Sequence, residues 1–122
     1  MADSTSHSKH EILIQAAYSA FNSRNIDAAL TLMHPDVHWP KAFEGGYVVG
    51  HEAVREYWSR QWTEINPIVQ PVAIKELPNG KIEVEVAQLV KDLEGNVLFD
   101  GIVKHIYVVE NDLLKHMDVK MI

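Results

Sequence analysis

The chain has 122 residues, of which 47% are hydrophobic and 23% charged, with a formal net charge of −6. That length supports one domain with a sizeable core, the hydrophobic content excludes a disordered chain, and no apolar run reaches the ~20 residues needed to cross a bilayer. Negative charge and scattered lysines disfavour a nucleic-acid partner, and the absence of cysteine excludes disulfides, thiolate metal sites and cysteine nucleophiles.

The first stretch, residues 1–8, holds no signal-peptide core and reads as a flexible tail before a single domain over 9–122, which places the protein in the cytoplasm. Ser8 and Glu11 have capping-box spacing, and Ile14, Ala17, Tyr18 and Phe21 share one stripe, which predicts a helix from Ser8 to Arg24. After a polar break, Ile26, Ala29, Leu30 and Met33 repeat the period until Pro35 ends a short second helix. Val37 to Trp39 reads as a brief strand, and Gly45, Gly46 and Gly50 mark a loop. Val54, Tyr57, Trp58, Gln61, Trp62 and Ile65 predict a third helix, stopped by Asn66-Pro67.

The pattern then turns to strands. Residues 68–77 are rich in Val and Ile but contain Pro71, the mark of an edge or a bulge. Pro78-Asn79-Gly80 turns the chain, after which Ile82, Val84, Val86, Gln88 and Val90 alternate with Glu83 and Glu85, one face buried and the other wet. A turn at Glu94-Gly95-Asn96 leads to a long strand over 97–109 with a bulge expected at Asp100-Gly101, and a tight turn at Asn111-Asp112 leads to a last strand, Leu113 to Met121. Helices followed by antiparallel strands make an α+β domain, a curved sheet wrapped on helices.

A two-residue turn at Asn111-Asp112 sets His105 directly opposite Asp118 and Tyr107 opposite His116. Two readings follow: this polar face meets water, or it lines a pocket in which the Asp118 carboxylate orients the His105 imidazole as an acid/base pair. Trp39, Trp58 and Trp62 offer large apolar walls, Tyr18 a phenol on the buried stripe, and Gln88 an amide that interrupts an aliphatic face and must find partners. His34 and His38 are separated by a helix-breaking Pro35, and His51-Glu52 lacks a second His one turn on, so neither a metal site nor another cofactor is expected. There is no Gly-rich phosphate loop and no serine nucleophile elbow.

The order of elements, with AAYSAFNSRNIDAALTLMHPDVHWP and GGYVVGHEAVREYW, resembles the nuclear transport factor 2-like (NTF2-like) superfamily, including ketosteroid isomerase and the SnoaL-like polyketide cyclases, from about Glu11 to Val119. The resemblance implies a cone-shaped, cystatin-like fold with three N-terminal helices on a curved, mainly antiparallel sheet, a hydrophobic cavity at the open end and a homodimer formed through the outer sheet face. It matches Tyr18 to the isomerase phenol that donates to the enolate oxygen and Trp58 to a pocket aromatic; Trp39 stands where the isomerase has its basic carboxylate. The cyclases turn His105 and Asp118 inward as acid and base, whereas the isomerase turns Met117 and Val119 inward, and both orientations remain open at this point. The expected function is a SnoaL-like isomerase or cyclase acting on a small apolar carbonyl compound without a metal. The alternative is a non-catalytic module for ligand binding or dimerisation.

Overall fold

A computed structural model describes residues 2–41 and 45–121. The elements are α1 (Ala2–Asn22), α2 (Ile26–Leu30), β1 (Met33–Pro40), β2 (Tyr47–Val49), α3 (His51–Gln61), β3 (Ile65–Glu76), β4 (Ile82–Asp92), β5 (Val97–Glu110) and β6 (Leu113–Met121). α1 begins before the Ser8 start that the capping spacing suggests, since residues 2–7 contain no Gly or Pro to break a helix. The three helices are not consecutive, because β1 and β2 intervene between α2 and α3.

One six-stranded sheet runs in the order β2-β1-β6-β5-β4-β3. Its pairings are antiparallel except β1 with β6, which run parallel and make the sheet mixed. Pro35 lies inside β1 at the gap between the Met33–Leu114 and His38–His116 pairings, where its missing N–H breaks no ladder bond. β2 forms a short hairpin arm on Trp39 and its neighbours, where only a loop was expected. α3 follows Gly50, whose φ of 91° is a conformation that glycine adopts at little cost.

β3 is an edge strand, which explains how it tolerates both Pro67 and Pro71, and its register shifts between Pro71 and Ala73. Asn66-Pro67 opens this strand instead of stopping a helix; α3 has already ended at Gln61, so Trp62 and Ile65 lie beyond it. The free edge of β3 is clamped by α1: Asn22 Nδ2 donates to Val69 O at 2.6 Å, and Val69 N donates to Asn22 Oδ1 at 3.0 Å. A side-chain amide thus replaces a neighbouring strand at Val69.

The core lies between the sheet and α1 and α3, with Ile14, Met33, Trp58, Val84 and Tyr107 among its fully enclosed side chains. The β4 alternation holds, with Ile82, Val84, Val86 and Val90 buried. Asn111 and Asp112 both take positive φ, 54° and 63°, in a two-residue hairpin turn whose twist suits the strands it joins. No described helix is long and apolar enough to cross a membrane.

Candidate functional site

The sheet and helices enclose a cavity of about 110 Å³ reached by side chains from α1, α3 and five strands. Free space on that scale suits a compact ligand with on the order of ten non-hydrogen atoms. Its walls are aromatic and aliphatic, with Phe21, Trp39, Trp58 and Phe99 on the rings' side. Among the described residues no Asp, Glu, Lys or Arg lines it. Trp58 anchors these walls, with edge-to-face contacts to Phe21 at 5.0 Å and Trp39 at 5.4 Å between ring centroids.

One end of the cavity is polar. Tyr107 OH donates to Tyr18 OH at 2.8 Å, and Tyr18 OH lies 2.6 Å from His105 Nδ1. All three side chains are buried, Tyr107 completely. Burial pushes the His105 imidazole down from its ordinary 6.5 to about 4, so it is neutral at physiological pH. Both phenols are pushed above their ordinary value, chiefly by burial, and stay protonated.

Protonation then fixes the options. Tyr18 accepts from Tyr107, which leaves its own proton to give either to His105 Nδ1 or to a ligand. In the first case His105 carries its proton on Nε2 and offers a donor to the cavity. In the second, Nδ1–H donates to Tyr18, Nε2 is a free base, and the Tyr18 proton points to ligand oxygen. The two arrangements hold the same number of protons, and a ligand at Tyr18 selects between them.

The expected pairing of His105 with Asp118 is absent. Glu110 faces Leu113 as the turn requires and Val109 faces Leu114, but the register then shifts so that Val108 faces His116, with Lys115 as the extra residue. Beyond this bulge His105 faces Val119 and Tyr107 faces Met117, while Asp118 falls opposite Ile106. A slip of one residue sends a side chain to the other face of the sheet. Asp118 therefore stands on the outer face, where it accepts from Tyr47 OH and lies 3.3 Å from His116 Nε2. These contacts, led by the Tyr47 hydrogen bond, hold its carboxyl below the usual range. The cavity face combines the two orientations left open by the sequence: His105 and Tyr107 inward with Met117 and Val119.

Of the other site residues expected from sequence, Tyr18, Trp39, Trp58 and Gln88 line the cavity. Trp62 does not; it backs Phe21 and Trp58 from outside, under the Arg24 guanidinium at 5.0 Å. Tyr57, Gln61 and Phe99 also line it without having been singled out, as does Tyr107, which the sequence placed on the His105 face but gave no role. Tyr107 carried a readable signal, since it lies two residues after His105 and must share its face. The bulge expected at Asp100-Gly101 lies instead at Leu98: Phe99 faces Val90, Val97 faces Lys91, and Gly101 pairs regularly with Gln88. No group of three or more His, Asp or Glu side chains placed to hold a metal occurs among the described residues.

Residues 14–73 match the family model of the SnoaL-like domain. No curated protein sequence matches the chain. Among solved structures, TerC co-crystallised with polyporic acid is 23% identical, with 93% of this chain and 92% of that one aligned and a TM-score of 0.80. An NTF2-like protein of unknown function from Burkholderia pseudomallei K96243 is 21% identical over 93% of this chain and 91% of its own, with a TM-score of 0.80. A Mycobacterium tuberculosis protein in complex with estradiol-17beta-hemisuccinate is 16% identical over 91% and 92%, with a TM-score of 0.77. At these identities the likeness is one of fold, and the chain has the NTF2-like fold.

Proposed function

We propose that the protein binds a small, neutral, largely apolar carbonyl compound in the cavity and moves a proton on it, as an isomerase or cyclase of the SnoaL-like kind. The observation that carries this reading is the buried hydrogen-bonded run from Tyr107 through Tyr18 to His105, at the end of a cavity otherwise walled by apolar groups. Each of the three side chains has a partner within the run, and one donor is left over, on His105 Nε2 or on Tyr18, that needs an acceptor to be used. A ligand carbonyl supplies it. The SnoaL-like match and the bound polyporic acid and estradiol-17beta-hemisuccinate in two structural relatives agree with a ligand site.

In this reading the carbonyl oxygen accepts the Tyr18 proton as a hydrogen bond, while Tyr107 and His105 Nδ1–H both donate to the Tyr18 oxygen. His105 Nε2 then removes a proton from the carbon beside the carbonyl, giving an imidazolium and an enolate. The enolate charge meets the Tyr18 hydroxyl, a preorganised donor in a water-poor site. Return of the proton from His105 to a different carbon of the enolate completes an isomerisation; attack of the enolate carbon on a second carbonyl of the same molecule completes a cyclisation, with the proton passing to the new alkoxide. Trp39, Trp58 and Gln88 hold the rest of the ligand. Asp118, on the outer face, takes no part.

The test is deuterium incorporation from D2O into 2-tetralone, followed by NMR. His105→Gln and Tyr18→Phe are each expected to slow the enzyme-dependent exchange by about 10²-fold or more, the usual range for a positioned acid or base. Equal rates in wild type and both variants would leave the non-catalytic binding module as the better reading. Two copies are proposed to pair through the outer face of the sheet, where Ile68 and Ile102 are exposed. Ile102→Glu is expected to yield a monomer in sedimentation.

A further inference from the structure

β5 lines the cavity with Phe99, Val103, His105 and Tyr107, and the regular register from Phe99 to Tyr107 puts Gly101 on that same face of the strand. Gly101 is not required by its backbone, which is outside the left-handed region. A glycine inside a strand weakens it, so the missing side chain calls for another cause. The neighbouring ring provides one. A Cβ on residue 101 would lie 3.2 Å from Phe99 Cζ, because the far end of that ring rests over the glycine.

Phe99 is held differently from four of the cavity rings. Phe21, Trp39, Trp58 and Tyr107 each pack on another aromatic ring, whereas Phe99 makes no ring contact with the described residues. It is half-buried between the exposed Leu98 and Asp100, follows directly on the Leu98 bulge, and lines the cavity. Its seat is also next to an unused polar group: Gly101 pairs with Gln88, whose side chain faces the cavity and makes no hydrogen bond to the described residues. His105 lies four steps along β5 from Gly101, on the order of 13 Å.

We propose that Phe99 is a gate ring over a second polar subsite, formed by the side-chain-free Gly101 and the Gln88 amide, which selects flat carbonyl compounds that carry a second oxygen at their far end. The inference rests on the cavity being the ligand site. A short ketone fills the space between the aromatic walls and Tyr18 with Phe99 seated. A longer flat ligand displaces the ring, lies over Gly101 and places its distal hydroxyl or carbonyl against Gln88. The selection therefore comes from a neutral amide, which suits a cavity without charged walls.

Calorimetric titration of the full chain with acetophenone, 2-acetylnaphthalene and 6-hydroxy-2-acetylnaphthalene tests this. Wild type is expected to prefer the hydroxylated naphthyl ketone over its parent by about tenfold, and Gln88→Met to abolish that preference. Gly101→Ala is expected to weaken both naphthyl ketones at least tenfold while acetophenone stays within twofold; Phe99→Ala, with the seat left open, keeps the hydroxyl preference and speeds association of the longer ligands. If the alanine at 101 shifts all three ketones alike, or the hydroxyl preference is missing or indifferent to Gln88, the gated subsite is wrong while the cavity remains a ligand site. If wild type binds none of the three, the cavity reading itself fails.

Discussion

The neutral state of His105 can be tested without any ligand, through the pH dependence of stability. In the folded chain its imidazole is pushed from 6.5 down to about 4, by burial. In the unfolded chain it returns to its ordinary value, so between these limits the unfolded state binds a proton that the folded state refuses. Stability from this group is therefore complete above pH 6.5, declines as pH falls, and levels off below about pH 4. At 1.36 kcal/mol per pH unit the displacement corresponds to about 3 kcal/mol lost between pH 7 and pH 4. Other groups titrate in the same range, so the informative quantity is a difference. His105→Gln cannot take up the proton but leaves an amide oxygen to accept from Tyr18. Urea unfolding of both proteins at a series of pH values is expected to show wild type losing about 3 kcal/mol more than the variant on acidification. Parallel profiles would mean that His105 protonates as readily in the folded chain as in the unfolded one, and the buried neutral imidazole would have to be abandoned.

Three further outcomes are expected. Asn22→Ala strips the edge of β3 of the amide clamp at Val69 and is expected to lower the urea-derived stability by about 1–3 kcal/mol, the cost of leaving partly buried backbone groups unpaired; a change within error would show that water replaces the amide freely. Asp118→Asn is expected to leave the 2-tetralone exchange rate within twofold, and a tenfold fall would return this carboxylate to the chemistry. Tyr107→Phe removes the donor to the Tyr18 oxygen but no group that touches ligand, so exchange should fall less than in Tyr18→Phe; an equal or larger fall would place Tyr107 against the ligand.

Much of the architecture was readable because single residues dictate it. The alternation of Ile82, Val84 and Val86 against Glu83 and Glu85 defines the buried face of β4, and Asn111-Asp112 supplies the two positive-φ residues that a two-residue hairpin demands. Pro71 announced an edge strand or a bulge, and β3 has both. The parallel pairing of β1 with β6 left no comparable trace: it joins segments distant in sequence, and Pro35 within β1 resembles a terminator until the gap in the ladder is seen.

The site was legible in part for the same reason. Tyr18, Trp39, Trp58 and Gln88 reach the cavity from apolar stripes or faces whose period is plain, whereas His105 comes from a strand face that read as polar and could equally have met water. The partner of His105 was misplaced because register was counted outward from the turn, and one extra residue at Lys115 reverses every side chain beyond it. A warning was present. Leu114 and Met117 are both large apolar residues three apart, a spacing that cannot bury both on one face of a regular strand, yet both are enclosed. Trp62 was misplaced by assuming that its helix continued past Gln61, where the chain in fact turns toward β3.

The most direct measurement is the infrared carbonyl stretch of 13C-labelled acetophenone bound to wild type and to Tyr18→Phe. Polarisation by the buried phenol and imidazole should move the bound wild-type band to lower frequency than the band in apolar solvent, and Tyr18→Phe should remove most of that displacement. An identical band in both proteins would mean that the oxygen never meets Tyr18, and that the polar end of the cavity is structural.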